Sequence, residues 1–259
     1  MFRKWPNENK PVSECPPIYD SKWRFFWYIG ERNPELDKDM LIFQNVIPSG
    51  FLQWESTMNA WGKTLLLANE TAAQMAAIGF GLEELTFVEK MKYGGHLLAP
   101  TGSDLNKFKK NTIFAGFHYD LNFLTIHGKS NYGGLYIWLR NGKKVKVKVP
   151  DGCLLLQAGA QFEYLTGGEC LSGFHEVVYT EEIEKIVEKK KEENKLIKKE
   201  ADKHKLWRVS STLFSQIRQN VILEPLGRYK TAESMKKYPP ILTRDQVAEE
   251  LKSISLMME

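Results

Sequence analysis

The spacing of apolar and polar positions divides the chain into a helical first part and a strand-rich second part. From Ser56 to Ile78, apolar residues recur three and four apart, at Ala60, Trp61, Leu65, Ala68, Ala72, Met75 and Ala76. That is the period of an amphipathic helix, here about six turns long. A shorter helical stretch, Leu82 to Met91, follows the Gly79-Phe-Gly81 break, and Gly94-Gly95 with Pro100 predict a loop after it. From Thr112 onward strand patterns dominate. Lys144-Val-Lys-Val-Lys-Val149 alternates strictly, which predicts valines facing a core and lysines facing water. Cys153-Leu-Leu-Leu-Gln157 reads as a buried strand. Ahead of the helices, Pro6, Pro11, Pro16 and Pro17 make the first twenty or so residues irregular or extended. The aromatic-rich run from Lys22 to Ile29 predicts a strand. After the strands, Glu224-Pro-Leu-Gly227 and Tyr238-Pro-Pro240 punctuate a loop, and Thr243-Arg-Asp-Gln246 reads as a capping box opening a last helix to about Ile254. Short, regularly spaced strands with Gly-rich turns favour a sandwich or barrel.

A chain of 259 residues, 42% of them hydrophobic, can bury one substantial core. The formal charge of +4 comes from 36 basic and 32 acidic residues, too balanced and dispersed for a nucleic-acid footprint. Cys15, Cys153 and Cys170 are odd in number and form no Cys-x-x-Cys pair, so neither a disulfide framework nor a zinc site is indicated. A reducing, cytoplasmic setting is the expectation, and no stretch approaches the roughly 20 apolar residues needed to cross a bilayer.

Candidate chemistry begins at His118-Tyr-Asp120, inside the apolar run Phe114 to Ile126, with a second histidine, His175, in Leu171-Ser-Gly-Phe-His-Glu-Val-Val178. On an extended strand, residues i and i+2 share a face and can grip one ion together with a ligand from a distant strand. Two imidazoles and one carboxylate leave about three positions open on a six-coordinate metal, the facial triad of non-haem Fe(II) oxygenases. Downstream, Arg208 and Ser210 share a strand face in Leu206-Trp-Arg-Val-Ser-Ser-Thr-Leu-Phe214. A guanidinium beside a hydroxyl suits a carboxylate. A metal and an anion clamp together suggest 2-oxoglutarate.

The order of these motifs strengthens each of them. His-x-Asp-(x)3-Leu-Thr is followed by Gly-Leu-x-Ile-Trp, Val-Pro-Asp-Gly, Gln-Phe-Glu-Tyr-Leu-Thr-Gly-Gly, the second histidine and Arg-x-Ser. Over roughly residues 112 to 214 the chain resembles the isopenicillin N synthase-like family of Fe(II)- and 2-oxoglutarate-dependent dioxygenases. The resemblance implies that His118, Asp120 and His175 bind Fe(II), that Arg208 and Ser210 bind the distal carboxylate of 2-oxoglutarate, and that O2 is the oxidant. The expected reaction is hydroxylation or desaturation of a small-molecule substrate.

It also implies a mainly β fold with α (α+β): a double-stranded β-helix, or jelly roll, backed by N-terminal helices. The expected layout is a single domain over 1–259, with a helical and extended support region (1–110), a jelly-roll catalytic core (111–216) and a C-terminal loop and helix (217–259). The family usually places Arg-x-Ser a short hairpin after the second histidine. Here a charged stretch, 181–205, with nine lysines and eight acidic residues intervenes. It reads as a solvated helical insertion with a protein-partner role as the sharper alternative. Plant members carry Asn-x-Tyr-Pro ahead of the core, where this chain has Lys92 to Thr101.

Among the remaining candidates, His96 in the Gly-Gly loop is a candidate substrate contact. His127 reads as a structural histidine and His204 as solvated, while Gln157, Gln161, Tyr164 and Trp138 read as packing residues. Two rival functions share the motifs: an iron oxidase that works without 2-oxoglutarate, and a non-catalytic binding or scaffold protein on the same fold.

Overall fold

The protein is described here from a computed structural model covering residues 7–13, 20–33, 44–197 and 206–253. Pro6, Cys15, Pro16, Pro17, His204, Ile254 and the insertion from 198 to 205 lie outside the described residues.

The elements in chain order are β1 (Trp23–Arg24), β2 (Trp27–Ile29), α1 (Trp54–Gly79), α2 (Thr86–Met91), β3 (His96–Asp104), β4 (Ile113–His118), β5 (Leu124–His127), β6 (Leu135–Trp138), β7 (Lys144–Lys146), β8 (Leu155–Ala158), α3 (Ala160–Leu165), β9 (His175–Val178), α4 (Glu181–Ile197), β10 (Trp207–Ser215), β11 (Ile222–Leu223), α5 (Ala232–Lys237), β12 (Ile241–Leu242) and α6 (Thr243–Ser253). One antiparallel sheet runs β1-β3-β10-β5-β8, with β2 also on β3, and a second runs β4-β9-β6-β7. This is the jelly roll the motifs imply. Residues of both sheets line one cavity.

Where the loop with Pro100 was expected, β3 is a nine-residue strand paired along its length with β10. The proline is tolerated because its carbonyl accepts from the Phe25 N–H, in the break between β1 and β2. In a strand a residue's N–H points the same way as its C=O, so the hydrogen Pro100 lacks costs no ladder bond. The same break splits the expected strand from Lys22 to Ile29 in two.

Helix α1 covers the first sheet, but with a different face from the one the apolar spacing picks out. Its buried positions are Met58, Gly62, Leu65, Asn69, Ala73 and Ala77, whereas Trp61 and Met75 are exposed. Close approach decides this. A Cβ on Gly62 would lie 2.4 Å from Ile29 of β2. Asn69 donates to the Leu124 carbonyl and accepts from the Ser215 hydroxyl, so a polar side chain is satisfied under the helix.

Three further expectations change. Leu154 and Leu156 are 43% exposed, because β8 is an edge strand covered on one face only. Lys144 points inward at the fully buried Glu176, 2.7 Å away, since that carboxylate needs a cation. Thr243 and Gln246 form no capping box: Thr243 donates to the Val221 carbonyl and Gln246 to the Leu121 carbonyl, tying α6 to the core. A capping box does open α5, between Thr231 and Ser234.

Helix α4 is solvated on one side only. Ile183 and Val187 are buried against Phe114, Tyr132, Tyr179 and Leu206. The start of the charged insertion thus braces the barrel beside β10.

Candidate metal centre and its cavity

Strand β4 ends at His118 and β9 begins at His175, and the two are register partners, with ring centroids 4.2 Å apart. Asp120 lies just past the end of β4, so strand alternation does not aim it. A hydroxyl does. Thr125 of β5 donates to Asp120 Oδ2 at 2.7 Å. Asp120 Oδ1 lies 3.6 Å from His118 Nε2 and 4.0 Å from His175 Nε2. One ligand atom from each of the three residues falls within 4.8 Å of the others. Such spacing suits three ligands on one side of an ion with bonds of about 2.0–2.2 Å.

The outer nitrogens are already engaged. His118 Nδ1 lies 2.6 Å from the Gly116 carbonyl and His175 Nδ1 3.1 Å from that of Gly173. An Nδ1–H directed at a carbonyl leaves the lone pair on Nε2, facing the cluster. Burial, then the nearby His118, pushes the His175 imidazole down to about 4, and burial lowers His118 too. Burial acts to raise Asp120, but the adjacent His175 and His118 outweigh it and hold the carboxyl below its usual range. At neutral pH the cluster is two neutral rings and a carboxylate, the protonation state a divalent metal needs.

The triad opens onto a cavity of about 330 Å³. His118, whose side chain is 42% exposed, faces it. Arg208 and Ser210 line the same cavity from β10, with Val209 pointing outward, as the alternation predicts. Arg208 is 8% exposed; its Nε donates to the Gly133 carbonyl, and no carboxylate pairs with it among the described residues. Burial lowers it to about 10, so it stays charged at neutral pH. Ser210 Oγ lies 2.9 Å from Thr101 Oγ1 of β3.

His96 is elsewhere. Its ring is 3% exposed, its Nδ1 accepts from the Gln216 N–H, the Met91 backbone provides a second hydrogen bond, and the ring does not line the cavity. The expected substrate contact is a satisfied core histidine.

His127, read as structural from sequence, is part of the cavity. It shares the inward face of β5 with Thr125, its ring centroid is 5.8 Å from that of His175, and the Gln157 side chain meets its imidazole. Gln157, read as packing, sets its side-chain amide 2.7 Å from His175 Nδ1 and against the His127 imidazole. The missed signal was available: two residues past Thr125 on a strand is the same face.

The donor set thus fits a divalent metal, and the buried arginine without a carboxylate partner fits an anionic ligand beside it. Residues 90–216 match the profile of the 2OG-Fe(II) oxygenase superfamily. This stretch is a 2OG-Fe(II) oxygenase superfamily domain. The match contains His118, Asp120, His175, Arg208 and Ser210. The protein is accordingly a non-haem oxygenase dependent on Fe(II), 2-oxoglutarate and O2.

Among solved structures, the fold of this oxygenase resembles a Caulobacter crescentus protein assigned to the 2OG-Fe(II) oxygenase family (TM-score 0.73, 22% identity, 93% of this chain and 72% of that one). It also resembles a full-length Neurospora crassa protein solved in complex with alpha-KG (TM-score 0.69, 19% identity, 96% and 72%). A third similar structure is the dioxygenase for auxin oxidation 1 from Arabidopsis thaliana with 2-oxoglutarate (TM-score 0.56, 16% identity, 89% and 80%). No curated protein sequence matches the chain. No helix among the described residues is long and apolar enough to cross a membrane.

Proposed function

We propose that His118, Asp120 and His175 hold the iron and that Arg208 with Ser210 binds the distal carboxylate of 2-oxoglutarate. The enzyme would belong to the isopenicillin N synthase-like branch and hydroxylate or desaturate a small organic substrate in the cytoplasm. The observation that carries this reading is the convergence of two imidazole nitrogens and one carboxylate oxygen in the cavity that also holds a buried, unpaired arginine. The neighbours solved with alpha-KG or 2-oxoglutarate support it.

When bound, iron would supply activation of O2, the oxidant, with 2-oxoglutarate as the electron donor that takes up one oxygen atom and leaves as succinate and carbon dioxide. The chain supplies placement. The Gly116 and Gly173 carbonyls fix the ring tautomers, and Thr125 fixes the carboxylate. The guanidinium, held by Gly133, offers a pre-oriented fork of donors. His127, met by the Gln157 side chain, lines the cavity with the triad and the arginine.

Anaerobic titration of the Fe(II)-loaded protein with 2-oxoglutarate, followed through the visible charge-transfer absorption of a chelated keto acid, tests the reading. A band in wild type that requires more 2-oxoglutarate in Arg208→Ala is expected. No band despite stoichiometric iron would return the oxidase that works without 2-oxoglutarate.

A further inference from the structure

The lead segment sends two cations into this cavity, Lys22 just ahead of β1 and Arg24 within it. Lys22 and Arg24 both line it, while Trp23 between them points outward and is 77% exposed. Residues i and i+2 of a strand stand about 6–7 Å apart. β1 sits at the edge of the first sheet, with Arg24 opposite Thr101, the residue whose hydroxyl meets Ser210. The segment is pinned across to the second sheet: the Ser21 N–H donates to the Ile113 carbonyl, and Asp20 Oδ1 accepts from the Gly116 N–H.

The charges in this corner are not balanced by the protein. The Lys22 side chain is only 10% exposed and pairs with Asp20 Oδ2 at 2.9 Å, and the other Asp20 oxygen is taken by Gly116. Arg24 has no carboxylate partner among the described residues; its guanidinium carbon lies 5.6 Å from the Phe26 ring centroid. Burial first, and Arg24 second, lowers the Lys22 ammonium to about 8, the mark of a cation enclosed beside another.

The co-substrate does not remove this excess. A ferrous ion, the Asp120 carboxylate, the two carboxylates of 2-oxoglutarate and Arg208 together sum to zero. The positive charge on Arg24 is surplus to that set. Phe114, Leu155 and Val177 add apolar wall to the same cavity.

Resting on the oxygenase reading above, we infer that the prime substrate is a small organic carboxylate with an apolar body, whose charged end is gripped by Arg24 with Lys22 behind it. The apolar part then lies towards the triad, and the cation pair selects acids over their neutral analogues. This recognition would sit on the lead segment, with β3 between it and the Arg208 and Ser210 clamp of β10.

The test uses isosteric pairs, phenylacetate against phenylacetamide and benzoate against benzamide. Their binding is measured by calorimetry to anaerobic protein saturated with Fe(II) and 2-oxoglutarate. At least one acid is expected to bind about tenfold or more tightly than its amide in wild type. Arg24→Gln, at an exposed position, should bring the two within about threefold while leaving the 2-oxoglutarate titration unchanged. Acids that bind no better than amides in both pairs overturn the inference. So does a preference that survives Arg24→Gln but disappears in Arg208→Gln, because the anion site would then be the keto-acid site. If the charge-transfer band never forms, the oxygenase assignment of the site residues fails instead. The comparison repeated on metal-free Arg208→Gln protein, with and without Arg24→Gln, then still decides the cation pair.

Discussion

His96 and His175 are alike by the usual marks of a functional histidine: each is 3% exposed, and burial drives each down to about 4. Only their surroundings differ. His96 is hydrogen-bonded to the backbone of Gln216 and Met91, with nothing left for a ligand. His175 turns Nδ1 to the Gly173 carbonyl and brings Nε2 to a carboxylate and a second imidazole. An enclosed imidazole is lowered wherever it sits. What marks a site is a lone pair left over and aimed at others.

The sharpest way to break this contrast is to remove one histidine at a time. His175→Gln is expected to lose at least about 100-fold in Fe(II) affinity, read by anaerobic metal titration, while His96→Gln keeps it. Next in size is Arg208→Gln, which deletes a buried charge-assisted contact and should weaken 2-oxoglutarate binding by about 2 kcal/mol or more, roughly 30-fold, in the charge-transfer titration. Thr125→Val removes the hydroxyl on Asp120 Oδ2 and is expected to cost about tenfold in iron affinity without unfolding the protein, checked by far-UV circular dichroism.

The other side of the contrast belongs to His96 and concerns stability rather than binding. Its value of about 4 in the folded chain lies below the roughly 6.5 of an unfolded histidine, so between those values the unfolded state binds more protons. The stability it supports is complete above pH 6.5 and lost as pH falls through 4, about 2 kcal/mol of it by pH 5. Urea unfolding at pH 7.5 and pH 5 should show that difference shrink in His96→Gln.

The contrast also explains what the sequence could reveal. Strand period two made Arg208 and Ser210 legible, because β10 is regular and its alternation persists in the fold. The His-x-Asp spacing pointed to residues that do converge, but for an incomplete reason: the chain leaves the strand after His118, and Thr125 rather than the pleat aims Asp120. His127 was passed over as a lone histidine, although it stands two residues beyond Thr125 on the same face. Apolar spacing located α1 but turned its face, since the buried stripe uses Gly62 and Asn69, chosen for close approach and hydrogen bonding rather than hydrophobicity. Pro100 inside β3 was illegible for a related reason, as its tolerance depends on a break in a partner strand more than seventy residues earlier. Lys22 and Arg24 show no motif, and only the pairing of β1 with β3 brings them to the cavity.

The most direct test is the ferrous-ion stoichiometry of wild type, His96→Gln and His175→Gln, each shown to be folded. One ion per chain in the first two and none retained in the third is expected. Iron held at full stoichiometry by folded His175→Gln, or lost from folded His96→Gln, would contradict the assignment of the centre.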